Sequence, residues 1–427
     1  MIVIAIFVIS LLAAMAIGVP ISYALIICAL AMMYHMDLFD AQIVAQGLVN
    51  GADSFPLMAV PFFMLAGELM NAGGLSKRIV NMAIALVGHI KGGLGYVTIL
   101  AGCVLAALSG SAAADAAALA ALLVPMMVKV GHSRETSAGL VAASGVIAPV
   151  LPPSIGLILF GVAANVSITK LFLAGIVPGL LMGMSLCAAW FLVSRRGITL
   201  TTTERAPLRE VAKAFKEGVW ALLLPIIILV GLRAGIFTPT EAGVVAAVYA
   251  LLVSVLVYRE LTWKSLYQVL VASVMTTSMV MFLVASAMVA AWMITVADLP
   301  SSMVGLLEPL MDSPRLLMLL IVAIVIVIGM AMDMSPLILI LAPVMMPVVV
   351  AAGIDPVYFG VMFVMVCAIS LLTPPVGVVL NVVAGVSKVG FVGIVRGVMP
   401  FLLAELLIIG LLLAFPQLLL VPASWLY

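Results

Sequence analysis

Charge is what this chain has least of. Only 8% of its 427 residues are Asp, Glu, Lys or Arg, where a soluble domain carries about 25%. Hydrophobic residues make up 66%, and the mean hydropathy is +1.42. A soluble enzyme or solvated binding module is thereby excluded, and a polytopic membrane protein is indicated. The net charge of +1 offers no footprint for nucleic acid. Four cysteines (Cys28, Cys103, Cys187, Cys367) lie in apolar runs without pairing or metal spacing, so they read as small core residues. His35, His89 and His132 are scattered near span ends, which argues against a metal centre. No Gly-x-x-x-x-Gly-Lys-Ser/Thr loop occurs, so the chain carries no ATPase, and its energy must come from an ion gradient or another protein. No Ser-His-Asp or Cys-His arrangement can be assembled, and no catalytic residue is assigned.

What the chain has is long apolar runs. Spans need about 20 such residues, and ten crossings are expected near 2–18, 20–35, 55–72, 137–165, 171–194, 218–235, 240–258, 265–297, 357–385 and 392–415. The first, lacking a basic leader and a small-residue cleavage site, reads as a retained helix. Two of the ten, 137–165 and 357–385, are broken by prolines. Two further stretches, 94–128 and 316–350, are split by Gly/Ser/Asp turns into arms too short to span comfortably, and read as re-entrant hairpins. With the N-terminus outside, fifteen Lys/Arg fall in inner segments. Only Lys170, Arg233 and Arg315 fall outside, completing the chain's 18. That bias supports the topology.

The halves repeat. Pro152-Pro153-Ser154 is matched 222 residues later by Pro374-Pro375-Val376. Gly18-Val19-Pro20 parallels Phe237-Thr238-Pro239, and Leu123-Val124-Pro125 parallels Leu341-Ala342-Pro343. Each half has an odd number of crossings, so the second is inverted. The expected organisation is a first repeat over 1–195, a cytoplasmic linker over 196–217 and a second repeat over 218–427. Paired broken segments point to a secondary transporter's binding site.

Broken helices free carbonyls, which are hard donors for a small cation, and helix N-termini, whose N–H groups suit a carboxylate. Sodium and an organic anion are the natural pair of ligands. One sodium is expected where Ser109, Gly110 and Ser111 face Pro149 and Pro152. A second is expected where Gly329, Met332 and Asp333 face Thr373 and Pro374. The substrate carboxylate is expected near Ser111, Asp115, Ser154 and Asn381. Each turn carries one acid, Asp115 or Asp333, read as a buried, symmetric pair 218 residues apart. Each is either functional or a helix cap. Glu241 starts a span, either as a helix-start acid or as a functional one. Glu68 and Glu405 lie inside spans, and the sequence names no partner for them. No resident cofactor or metal beyond the coupling sodium is expected.

These residues also resemble a known family. Asn50-Gly51-Ala52-Asp53-Ser54-Phe55-Pro56, leading to Pro61-Phe62-Phe63-Met64-Leu65-Ala66-Gly67-Glu68, resembles the opening signature of the large (DctM-type) membrane subunit of TRAP, or tripartite ATP-independent periplasmic, transporters. So do Ser109-Gly110-Ser111 with Asp115, Pro152-Pro153-Ser154, Thr238-Pro239-Thr240-Glu241-Ala242-Gly243 and Thr373-Pro374-Pro375. The likeness runs over nearly the whole chain and is to the sialic-acid and diketogulonate branches.

The resemblance implies an ion-transporter-superfamily fold of inverted repeats and import of organic acids with sodium. It implies an elevator motion of a transport unit against a scaffold in a bacterial inner membrane. It implies two partners, a small four-helix membrane subunit and a periplasmic binding protein. By similarity, Ser109, Ser111, Asp115 and Ser154 match positions tied to sodium or substrate, and Glu241 matches a scaffold acid. Ala113-Ala114-Asp115-Ala116 stands where the family pattern has Val-Ala-Asp-Thr, so one hydroxyl is missing near the first tip. The competing readings are a stand-alone ion-coupled carrier, an intramembrane aspartyl protease using Asp115 and Asp333, and a passive channel.

Overall fold

A computed structural model describes residues 2–195 and 205–426. Residues 196–204, the first part of the expected linker, lie outside the described residues, Arg196 among them. The described residues form twenty α-helices, with one 3-10 turn and one π turn and no strand. In an apolar solvent a chain must satisfy its backbone internally, and the helix does so without partners.

Eight helical segments are long and apolar enough to cross a membrane: Phe55–Ala72, Ala112–Lys129, Ile168–Ser194, Leu208–Arg233, Pro239–Val257, Trp263–Val296, Met334–Ala351 and Phe391–Ala414. Six of them coincide with expected crossings. The first two expected spans, α1 (Ile2–Ala16) and α2 (Ile21–His35), have only 15 residues each, about 22 Å of helix at 1.5 Å per residue. Conversely, the outgoing arms of both hairpins reach 18 residues, about 27 Å. They are not too short to cross.

The order of elements recurs. In the first half, α3 (Ala41–Ala52) and α4 (Ala59–Ala72) lead to a short helix, α5 (Leu75–Val87). A hairpin follows, α6 (Gly93–Ser109) and α7 (Ala112–Lys129), and then α8 (Arg134–Gly145), a break, α9 (Ile155–Ala163) and the long α10 (Ile168–Ser194). In the second half, α11 (Leu208–Arg233), α12 (Pro239–Leu252) and α13 (Trp263–Val296) lead to the short α14 (Leu299–Met311). The hairpin α15 (Pro314–Gly329) and α16 (Met334–Ala351) comes next, then α17 (Pro356–Ser370), a break, α18 (Val378–Ser387) and α19 (Phe391–Ala414), with α20 (Gln417–Leu426) last. Both breaks hold a cis Pro-Pro bond, at Pro152–Pro153 and Pro374–Pro375. Helix α11 starts ten residues before the expected span, so residues 208–217 are helix, not linker.

The helices pack as two groups. Helices α6–α10 and α15–α19 interlock: α8 lies on α19, α7 on α18, and α9 on both α16 and α17. Phe160 of α9 meets Phe359 and Phe363 of α17 with ring centroids 5.8 and 5.7 Å apart. Every residue of α17 from Val357 to Ser370 is buried, as expected for a helix apolar all round. The other group holds α1–α4 and α11–α13, with α12 on α4 and α13 on α2, α3 and α4. The short helices α5 and α14 touch both groups. Arg78 fastens the start of α5. It pairs with Glu260 at 2.7 Å, donates to the Gly74 carbonyl at 3.0 Å and lies 3.7 Å from the centroid of the Tyr258 ring.

Helices α8 and α19 cross at glycines. A Cβ added to Gly397 would lie 2.0 Å from the Glu135 carbonyl oxygen, whereas one at Gly410 would meet nothing within 4 Å. Gly397→Ala is expected to cost about 1–3 kcal/mol through overpacking and Gly410→Ala close to nothing. Thermal unfolding of the two purified variants checks both.

Candidate functional site

The first hairpin turns within two residues. Helix α6 ends at Ser109, Gly110 takes a left-handed conformation at φ +63°, and Ser111 caps α7. Three polar groups tie the turn. Ser109 Oγ donates to Asp115 Oδ1 at 2.6 Å, the Ser111 N–H donates to Ser109 Oγ at 3.1 Å, and the Ala114 N–H donates to Ser111 Oγ at 3.5 Å. Asp115 is 2% exposed, and its second oxygen, Oδ2, is buried with no hydrogen-bond partner among the described residues. Asp115 is therefore not a helix cap, since its carboxylate takes a serine hydroxyl rather than a backbone N–H.

The tip rests on the first break. A Cβ on Gly110 would lie 3.0 Å from both the Pro153 carbonyl oxygen and the Ile155 nitrogen. Residues 146–154 of the break are all buried. Ser154 caps α9 by accepting from the Leu157 N–H at 3.1 Å and donates to the Pro149 carbonyl. Pro152 faces α10, its Cδ 3.8 Å from where a Gly175 Cβ would sit. Ser109, Gly110, Ser111, Asp115, Ser154 and Pro149 are thus joined by contact or hydrogen bond.

The second tip is built differently. Helix α16 starts at Met334, 222 residues after Ala112, so its cap Asp333 corresponds to Ser111, not to Asp115. The residue in register with Asp115 is Leu337, which is buried. Asp333 is exposed and makes no side-chain cap bond. The expected symmetric pair of buried acids is corrected on both counts. The residues in register with Ser109 and Gly110 are Ala331 and Met332, which carry no hydroxyl to hold an acid inside. Asp115 is buried and Asp333 exposed, and no hydrogen bond joins them among the described residues.

Gly329 presses on the end of α17, where an added Cβ would lie 2.2 Å from Ser370 Oγ. Thr373 donates back to the Ile369 carbonyl at 3.3 Å. Pro374 is partly exposed at the edge of a break that opens at Pro375 and Val376. Met332 lines an apolar cavity of about 300 Å³ against Phe7, Leu11 and Met15 of α1. Asn381 turns its amide onto its own break, donating to the Val376 carbonyl at 2.6 Å. It does not line the cavity at the first tip.

That cavity, of about 260 Å³, has two walls. Ser109, Ser111, Ala113, Ala114 and Ile155 form one, so the N-termini of α7 and α9 converge on it. Met64, Gly67, Glu68 and Asn71 of α4, with Ser273 and Thr276 of α13, form the other. It lies where the two packed groups meet. Glu68, Asn71, Ser273 and Thr276 were not singled out as site residues. The signal available for Glu68 was its charge within an apolar span. Glu241 lies elsewhere, in a capping box: the Thr238 N–H donates to Glu241 Oε2 at 2.8 Å, and the Glu241 N–H donates to Thr238 Oγ1 at 3.3 Å. The adjoining Thr238, Pro239 and Thr240 line a separate cavity of about 440 Å³ between Ser54–Pro56 and the α9–α10 turn. No group of three or more His, Cys, Asp or Glu suited to a metal occurs among the described residues.

Apolar helices packed in two groups, with the first hairpin tip and the start of α9 meeting α4 and α13 at a polar cavity, define the class: a polytopic membrane protein. The chain belongs to the family of the tripartite ATP-independent periplasmic transporter, DctM component, whose sequence model matches residues 8–418. It is 54% identical over 415 residues to the 2,3-diketo-L-gulonate TRAP transporter large permease protein YiaN of Escherichia coli, covering 97% of each chain. It is 40% identical over 401 residues to the sialic acid TRAP transporter large permease protein SiaM of Vibrio cholerae, covering 94% of this chain and 93% of that one. It is 37% identical over 379 residues to the C4-dicarboxylate TRAP transporter large permease protein DctM of Pseudomonas aeruginosa, covering 89% and 88%. In fold it is similar to the Alcanivorax borkumensis YdaH transporter, with a TM-score of 0.67 at 18% identity over 90% of this chain and 91% of that one.

Ser109→Ala removes the one hydrogen bond to the buried Asp115 carboxylate and is expected to cost about 1–3 kcal/mol. Gly110→Ala is expected to cost about 1–2 kcal/mol for the left-handed backbone alone. Thermal unfolding of the purified variants measures both.

Proposed function

We propose that this chain is the transport subunit of a sodium-coupled importer of a small organic acid, working by an elevator motion in a bacterial inner membrane. It would act with a small four-helix membrane subunit and a periplasmic binding protein, its N-terminus outside. The observation that carries the reading is the cavity of about 260 Å³ at the first tip, onto which two helix N-termini and two serine hydroxyls converge. Free first-turn N–H groups favour an anion by charge and by hydrogen bonding. A substrate carboxylate would take the Ser111 hydroxyl and first-turn N–H groups of α7 from one side and the start of α9 from the other.

The sodium assignment rests on the same tip. The unpartnered Oδ2 of Asp115 would be satisfied by a cation beside it, since a buried carboxyl oxygen without a partner is costly. Carbonyls of the Ser109–Ser111 turn and of the break, Pro149 and Pro152 included, would complete the oxygen shell. A second sodium would lie between Gly329, Met332 and Asp333 and the Thr373–Pro374 end of the second break. The more open form of that break makes it the weaker of the two.

The elevator reading is supported by the division into two groups. Helices α6–α10 and α15–α19 would form the moving unit, α1–α4 and α11–α13 the scaffold, and α5 and α14 the connecting arms. The cavity at their junction gives the moving unit something to carry past a fixed wall. The repeats, 1–195 and 218–427, would be inverted about the membrane plane.

Reconstituted with its small subunit and binding protein, the chain is expected to take up labelled organic acid only under an inward sodium gradient. Ser109→Ala and Thr373→Ala are expected to weaken the dependence of uptake on sodium. Uptake by this chain alone would move it to the stand-alone carriers. Unchanged sodium dependence in both variants would remove the two-site assignment.

A further inference from the structure

The scaffold wall of the cavity carries an acid facing the anion-binding wall. Glu68 is half-buried on α4 and lines the cavity directly. Among the described residues it has no hydrogen-bond or ion-pair partner. Its neighbour Gly67 faces the tip, where a Cβ would lie in ordinary contact, 3.4 Å from Ser109 Cα. The acid is thus one residue from the contact between the walls. On the same side, Ser273, Thr276 and Asn71 add hydroxyl and amide groups without charge. Thr276 and Asn71 already have partners, the Ala272 carbonyl at 2.9 Å and Ser76 Oγ at 2.5 Å, so both side chains are held in place.

We infer that Glu68 is a specificity residue that admits hydroxylated monocarboxylates and rejects dicarboxylates. This rests on the substrate reading of the cavity given above. With one carboxylate at the first tip, the far end of a short acid comes up against Glu68. A hydroxyl there donates to the Glu68 carboxylate and is rewarded. A second carboxylate there meets a like charge and has no basic side chain in the cavity to offset it. Discrimination of this kind comes from a repulsive element as much as from an attractive one.

The test is equilibrium dialysis of labelled D-gluconate and labelled succinate against the purified complex of this chain with its small membrane subunit. Wild type is expected to prefer gluconate. Glu68→Gln is expected to shift the gluconate-to-succinate ratio about tenfold towards succinate, a change of about 1.4 kcal/mol, and Glu68→Asp to keep the preference. Thr276→Val is expected to weaken gluconate alone. Binding of both acids with a ratio unmoved by Glu68→Gln would overturn the inference while leaving the cavity as the substrate site. Binding of neither acid to wild type, with unfolding curves showing a folded complex, would overturn the substrate reading and this inference with it.

Discussion

A backbone amide or carbonyl in hydrocarbon must find a partner, and everything distinctive in this molecule follows from where that rule is strained. Over most of the chain the helix satisfies it, and sequence there need only be apolar. At the two tips and two breaks the helix stops at depth, and the chain must supply the partners itself. Ser111, Ser154 and Ser109 do so at the first tip, each hydroxyl engaged with the backbone or with Asp115. The prolines there lack an N–H to be satisfied. The polar residues at the first tip are thus the same ones that let the helices break.

The two tips answer the same constraint unequally. The first closes on its break with every residue from 146 to 154 buried, whereas the second opens at Pro375 and Val376. Composition explains the difference. The first tip has Ser109, Gly110 and Ser111, small enough to dock and polar enough to hold Asp115. The second has Ala331, Met332 and Asp333, whose methionine seeks the apolar face of α1 and whose acid stays outside. A duplicated architecture need not give two equivalent sites.

How far the sequence was legible follows from the same physics. A Pro-Pro or Gly-Ser step inside an apolar run has few readings, so both breaks and both hairpins were visible from residue types. The six long spans were visible from hydropathy alone. The correspondence of the acids was not. Counting from Asp115 to Asp333 aligned two like residues, whereas the helix starts at Ala112 and Met334 align Ser111 with Asp333. The start of α11 does not show in hydropathy because Arg209, Lys213, Lys216 and Glu217 lower it, although Lys213 and Glu217 are spaced four apart, as a helix pair requires. The scaffold wall was missed for another reason. Ser273 and Thr276 on a long apolar helix look like packing residues until α13 is seen facing the first tip across α4.

The short helix α5, which touches both packed groups, is fastened at each end. Helix α5 is held at its start by Arg78, whose guanidinium meets a carboxylate, a carbonyl and an aromatic face at once. Tyr258 is held in turn, donating to the Glu217 carbonyl at 2.6 Å. The fit is close enough that a Cβ on Gly74 would lie 1.9 Å from Glu260 Oε2. The charges sit at the helix end, where a guanidinium can keep its ionic partner without crossing hydrocarbon. At the far end of α5 the chain passes through Gly92, whose carbonyl accepts from Trp190 Nε1 at 2.8 Å, and enters the hairpin group. The arm thus has an ionic anchor on the scaffold side and an indole hydrogen bond on the hairpin side.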